Sequence, residues 1–262
     1  GLKNLSNIQR TIDYIKKYKN IDIELYKIPL DDKKVFEMLS QGDSTGVFQL
    51  ESPGIRKIMK RLKPNKLEDI VALLALYRPG PLQSGMVDDF INRKNGKEKI
   101  EYPHKNLEII LKETYGVILY QEQVMRIAAV MGGFSLGQAD LLRRAMGHKH
   151  PEVLKAQRQT FVEGAMKQDV TKETADYVFD LMVHFAGYGF NKSHSVCYAW
   201  IAWQTAYLKA HYRPEFMAAM MTCYNGDRDK VSRYIANSRK NGVKLVAPDI
   251  NKSRADFAAN ED

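Results

Sequence analysis

Residues 185–212 read Phe185-Ala-Gly-Tyr-Gly-Phe-Asn-Lys-Ser-His-Ser, then Val196-Cys-Tyr-Ala-Trp-Ile-Ala-Trp-Gln-Thr-Ala-Tyr-Leu-Lys-Ala-His-Tyr. Gly187 and Gly189 interrupt helical periodicity and permit a tight turn. Asn191 or Ser193 then offers a side-chain cap for a new helix. Behind the cap, Val196, Ala199, Trp200, Trp203, Tyr207 and Ala210 recur at steps of three and four, which puts them on one helical face. A helix over 191–212 is about 30 Å long, enough to span a domain.

The start of that helix crowds Asn191, Lys192, Ser193 and His194 together. Free N–H groups and the helix dipole attract an anion there. Acidic residues normally suit this end, so Lys192 departs from the local preference in the direction that attracts phosphate. Two readings stand side by side: an ordinary cap with a solvated lysine, and an anion-binding helix start.

The remaining periodicity is mostly helical. Helices are predicted over 4–18, from Asp31-Asp32 through Leu39, from Ser52-Pro53 to Leu62, over 67–77, 83–94, 121–131, 136–146, 151–166, 171–185, 214–223 and 227–241. Pro53 sits at a tolerated first-turn position. Arg78-Pro79-Gly80-Pro81 closes the helix before it and fixes a loop. Residues 41–50 are expected to form a loop leading into a short extended piece. Val117-Ile-Leu-Tyr120 reads as a short strand or a buried connector, and Val243-Lys-Leu-Val-Ala-Pro as an isolated extended segment. The predicted class is therefore mostly α, an irregular multi-helix domain with a few short strands. Divisions are expected near 112–115 and 224–228, giving segments 1–113, 114–225 and 226–262. Neither junction is a flexible Gly/Ser linker, so packed subdomains are expected.

The chain has 262 residues, 27% charged and 44% hydrophobic, with a formal net charge of +9. It is long enough for one large or two small domains. The positive balance favours a polyanionic partner such as nucleic acid or nucleotide. Lys57, Lys60, Arg61 and Lys63 give one helix a basic face, for which plain solubility is the simpler reading. The two cysteines, Cys197 and Cys223, form no disulfide framework or zinc site and fit a reducing cytoplasm. There is no apolar run long enough to cross a membrane. The start, Gly-Leu-Lys, and the end, Ala-Asn-Glu-Asp, predict a piece of a longer chain.

Candidate anion ligands are Arg78, Arg143, Arg144, Lys149, Lys192 and His194, drawn from loop ends and helix starts far apart in sequence. Arginine forks match phosphate oxygens. Arg78 has a second reading, a cation facing a helix C-terminus. Two-metal nucleotidyl transfer needs converging carboxylates, and the sequence offers no convincing set. Asp227-Arg-Asp229 reads as a helix cap, and Asp31-Asp32 and Asp88-Asp89 are adjacent pairs pointing different ways. There is no P-loop or dinucleotide-binding glycine pattern. His148-x-His150 lacks the spacing of a helical zinc pair. Ser193 and Ser195 around His194 lack the frame and the orienting acid of a nucleophile.

Five motifs occur in order: Gly46-Val-Phe-Gln-Leu-Glu-Ser, Tyr77-Arg-Pro-Gly-Pro-Leu, Tyr120-Gln-Glu-Gln-Val-Met, Arg143-Arg-Ala-Met-Gly and Phe185-Ala-Gly-Tyr-Gly-Phe-Asn-Lys-Ser-His-Ser. With Ala247-Pro-Asp-Ile-Asn-Lys-Ser near the end, the chain resembles the bacterial DNA polymerase III alpha subunits, the C-family replicative polymerases, over its whole length. The resemblance is to their fingers region. It implies a DNA-directed DNA polymerase whose metal-binding palm aspartates lie outside this chain, so that Mg²⁺ serves the parent enzyme and none is bound here. It implies fingers that close over an incoming deoxynucleoside triphosphate. Arg143, Arg144, Asn191, Lys192, Ser193 and His194 would line the nucleotide pocket, with Arg78 near it. The implied partners are primer–template DNA, dNTP, the palm and thumb of the same polypeptide and replicase holoenzyme subunits, in a bacterial cytoplasm. The chain alone is expected to be non-catalytic.

Overall fold

Local capping chemistry sets most of the helix starts. Asp32 accepts a hydrogen bond from the Val35 N–H at 3.1 Å, and Asp227 accepts from the Lys230 N–H at the same distance. Pro53 occupies a first-turn position behind Ser52. The Asn191 side chain accepts from the His194 N–H at 2.8 Å, so Asn191 is the cap of the long helix. Each bond satisfies one of the donors that a helix start leaves open.

The computed structural model describes residues 3–148, 151–186, 188–251 and 253–259. Among these are fourteen α-helices: α1 Lys3–Lys19, α2 Lys33–Ser40, α3 Pro53–Leu62, α4 Leu67–Leu76, α5 Pro79–Gln83, α6 Met86–Lys94, α7 Glu108–Leu111, α8 Gln121–Gly132, α9 Leu136–His148, α10 Pro151–Met166, α11 Lys172–Ala186, α12 Lys192–His211, α13 Arg213–Cys223 and α14 Arg228–Lys240. Three short 3-10 turns lie at Leu25–Lys27, Lys105–Leu107 and Lys112–Thr114.

The fold is mostly α, but the expected short strands are absent among the described residues. One isolated parallel bridge joins Tyr120 to Phe190. The reason lies in how residues 117–120 use their backbone. The Leu119 and Tyr120 N–H groups both donate to Gln123 Oε1, at 2.8 and 2.9 Å. The Val117 carbonyl accepts from the Thr114 hydroxyl at 2.6 Å. With those groups taken by side chains, no ladder is left to extend. All four residues are buried, which is the connector alternative. Residues 41–50 form successive turns, with the Val47 N–H on the Ser44 carbonyl and the Leu50 N–H on the Val47 carbonyl. Residues 243–248 are irregular. The single helix expected over 83–94 is divided by a turn at Ser84-Gly85.

The chain divides into two compact units. One comprises residues 1–67 with 198–262, the other residues 68–197. In the discontinuous unit, α1 packs on α13 and α13 on α14. Ile8, Ile15, Leu208, Phe216, Met217, Met220 and Tyr234 meet in its core. Trp203 is fully buried there; its indole N–H donates to the Pro29 carbonyl at 3.0 Å and its ring lies 4.7 Å from that of Phe36. The part of α12 in this unit is buried well beyond one stripe: Ala202, Trp203, Gln204, Thr205 and Ala206 are consecutive and all buried.

The continuous unit is built on α8, α9, α10 and α11, with Ile127, Met131, Leu142, Phe161, Val178, Phe179 and Met182 in its core. Helices α8 and α10 approach at glycine. A Cβ on Gly164 would lie 1.9 Å from the Gly132 carbonyl oxygen, so neither a bulkier residue nor a small shift fits there.

Candidate functional site

The site is assembled within the unit of residues 68–197, from the loop after α4, the start of α8, the helix α9 and the start of α12. Arg78 precedes α5. Its Nε donates to the Ala75 carbonyl at 3.0 Å and its Nη2 to the Tyr188 carbonyl at 2.6 Å. The guanidinium lies 4.3 Å from the centre of the Phe190 ring, a cation–π distance. Burial lowers the Arg78 pKa below the ordinary arginine value. Beside it, a Cβ on Gly80 would meet the Tyr188 ring at 2.1 Å. The Arg-Pro-Gly-Pro segment is thus packed directly on the chain that leads into α12.

That chain is tied in turn to α8. The Phe190 N–H donates to the Leu119 carbonyl at 3.1 Å, and the Gln121 N–H donates to the Phe190 carbonyl at 2.9 Å. The Gln121 side-chain amide reaches the Gly189 carbonyl at 3.2 Å. Gln123 is buried and fully engaged: besides the two N–H groups it accepts, it donates to the Ile110 carbonyl and the Thr114 hydroxyl. The starts of α8 and α12 are therefore held side by side by backbone and buried side-chain bonds.

This juxtaposition brings carboxylates to the cationic helix start. The Lys192 N–H lies 3.0 and 3.1 Å from the two oxygens of Glu122, and Asn191 Nδ2 donates to the same carboxylate at 3.0 Å. The Lys192 ammonium pairs with Glu113 at 2.6 Å, with both side chains a little over one-third exposed. It also stands 5.5 Å from the Tyr120 ring. Burial, reinforced by the negative charges of Glu113 and Glu122, raises the Tyr120 pKa far above the ordinary phenol value. Ser193 and His194 are exposed at the same helix start, and the His194 ring lies 5.5 Å from that of Phe190.

The paired arginines sit on α9. Arg143 and Arg144 both bind Asp140 at 2.9 Å. The hydrogen bond from Arg143, with the two positive charges, holds Asp140 below the usual carboxylate range. Arg143 Nη1 also reaches Gln121 Oε1 at 3.4 Å, so Arg143 joins the cluster around α8 and α12 through Gln121. Arg144 is 63% exposed on its side chain. Lys149 and His150, and with them the His148-x-His150 pattern, lie outside the described residues, as does Gly187. Ser195 is buried and donates to the Val71 carbonyl at 2.6 Å, a packing role.

Residues 4–169 match the family described as the bacterial DNA polymerase III alpha subunit finger domain. The chain belongs to this family. It is 51% identical to the DNA polymerase III subunit alpha of Campylobacter jejuni over 261 residues, 100% of this chain and 22% of that protein. It is also 51% identical to the Bacillus subtilis protein, with 98% of this chain and 23% of that one covered. The Escherichia coli K12 protein is 51% identical over all of this chain and 23% of its own length. The finger domain chain thus spans less than a quarter of the length of these relatives.

In the finger domain the Gly46-Val-Phe-Gln-Leu-Glu-Ser motif has an internal role. The fully buried Lys209 ammonium donates to the Asp43 carbonyl at 3.0 Å and to its carboxylate at 2.7 Å, and Arg213 pairs with the same carboxylate at 2.6 Å. Glu51 accepts from the Gly46 N–H and from Arg233, and the Phe48 N–H donates to the Thr205 hydroxyl. The basic residues Lys57, Lys60, Arg61 and Lys63 are exposed.

Among the described residues, no three His, Cys, Asp or Glu side chains converge to hold a metal ion. No helix among them is long and apolar enough to cross a membrane. Gln121 and Glu122 belong to the Tyr120-Gln-Glu-Gln-Val-Met motif, and with Glu113 they complete the cluster, but nothing in their sequence context places any of the three at the site. The one local signal was an acidic residue in the first turn of α8, next to Gln121.

Proposed function

We propose that this finger domain receives the triphosphate of an incoming deoxynucleoside triphosphate at the start of α12 and on α9. Arg143, Arg144, Asn191, Lys192, Ser193 and His194 contact or flank the phosphates, and Arg78 supports the segment beneath them. One observation carries the reading: the N–H and ammonium groups of Lys192, with the amide of Asn191, already hold oxyanions, the carboxylates of Glu122 and Glu113. A phosphate oxygen has the same appetite for such donors. The whole protein is then a DNA-directed DNA polymerase. Its Mg²⁺ is held by carboxylates outside this chain, and the chain alone extends no primer. Primer–template DNA, the palm and thumb of the same polypeptide and replicase subunits are its partners, in the bacterial cytoplasm. We assign the nucleotide-facing motifs, Arg78 included, to the compact unit of residues 68–197.

A second reading is favoured by the same ion pairs. If Asp140, Glu113 and Glu122 are permanent partners, the cations are a scaffold that binds no nucleotide. Steady-state primer extension by the full-length alpha subunit separates the two. Lys192→Ala or Arg143→Ala is expected to raise KM for dNTP or lower kcat by at least about tenfold, the scale of one lost charged contact. Unchanged kinetics in both variants favour the scaffold.

A further inference from the structure

We infer that Glu113 and Glu122 are built-in counter-ions that occupy the anion-binding start of α12 and are displaced when an anionic ligand arrives. The inference rests on the triphosphate reading above. Both carboxylates come from one short stretch of chain, the 3-10 turn at Lys112–Thr114 and the first turn of α8. That stretch is fixed from behind by Gln123, whose side chain bonds Ile110, Thr114, Leu119 and Tyr120. In front, the two carboxylates divide the donors of α12 between them. Glu122 takes the Lys192 N–H and the Asn191 amide, and Glu113 takes the Lys192 ammonium.

The pair is poised for exchange. Lys192 and Glu113 are each over one-third exposed, and an ion pair of that exposure contributes little to stability. A triphosphate brings several negative charges to the same donors, so it competes favourably with a single carboxylate. The carboxylates keep the lysine and the helix start oriented while the face is empty, and set a threshold that a weakly charged ligand does not pass. They are positioning residues: they act through Lys192 and Asn191.

The test measures KM for dNTP and kcat in primer extension by the full-length alpha subunit, in the Glu113→Gln, Glu122→Gln, Glu113→Asp and Lys192→Ala variants. Removing one competing charge is expected to lower KM about two- to fivefold, the scale of an exposed ion pair, with kcat changing less. Glu113→Asp keeps the charge and is expected to stay near the parent value. The gain in Glu113→Gln is expected to shrink as salt is raised, because it is a charge effect; a purely structural role for Glu113 moves neither the KM-against-kcat split nor its salt dependence. If Lys192→Ala raises KM while both Gln variants leave it unchanged or raise it, the counter-ion inference is overturned and the triphosphate reading stands. If Lys192→Ala and both Gln variants all leave KM unchanged, the triphosphate reading fails and the inference falls with it.

Discussion

Replacing Lys209 with methionine is expected to remove a pH dependence that the wild-type fold carries. Lys209 is fully buried against Asp43. Burial pulls its pKa from 10.5 down to about 8; the attraction of Asp43 offsets only part of this, and the neighbouring charges of Arg213 and Arg56 act in the same direction as burial. Asp43 itself is held below its ordinary value: burial works to raise it, but Lys209 and Arg213 together outweigh that.

Because the folded value lies below the unfolded one, the native chain releases this proton first. Between about pH 8 and 10.5 the unfolded chain binds more protons, so stability rises with pH across that window. Below it the lysine is charged in both states and the contribution is constant. At about 1.36 kcal/mol per pH unit, the window corresponds to roughly 3 kcal/mol. The assay is urea unfolding followed by the fluorescence of Trp200 and Trp203, for wild type and Lys209→Met, in steps across the window. Taking the difference between the two proteins cancels the titration of the tyrosines. The wild type is expected to gain roughly 3 kcal/mol on the variant as pH rises through the window. A difference that stays flat refutes the argument that Lys209 is a desolvated, proton-releasing group.

Two further outcomes test the packing. Gly164→Ala places a methyl group where the Gly132 carbonyl oxygen is 1.9 Å away, and should lower the urea midpoint by an amount equivalent to about 2–3 kcal/mol; an unchanged midpoint would show that α8 and α10 do not meet at these glycines. Arg78→Met removes the bonds to the Ala75 and Tyr188 carbonyls, worth about 1.5–3 kcal/mol for charged donors. It should speed amide exchange at Phe190 and Gln121, and equal protection in both proteins would show that Arg78 does not hold this segment.

Helix starts were legible because caps are local. Asp32, Pro53, Asn191 and Asp227 each act within three residues of their own position. Where bonds run through side chains or between distant segments, the sequence is silent or misleading. Val117-Ile-Leu-Tyr has strand-like composition, yet Gln123 takes two of its N–H groups. Pro79-Gly-Pro81 reads as a helix stop, yet Pro79–Gln83 is a short helix. Prolines in a first turn lack only donors that have no helical partner there. The cationic helix start was visible in Asn191-Lys-Ser-His. Its partners were not, since Glu113 and Glu122 are 79 and 70 residues from Lys192 and only the fold brings them together.

Whether the start of α12 receives a triphosphate is decided by equilibrium dNTP binding to the full-length alpha subunit on a primer–template ended with a dideoxynucleotide, which allows binding without chemistry. Lys192→Ala is expected to weaken dNTP binding by about tenfold, in line with one charged contact, while leaving binding of the primer–template itself nearly unchanged. Equal dNTP affinity in the wild type and the variant would contradict it.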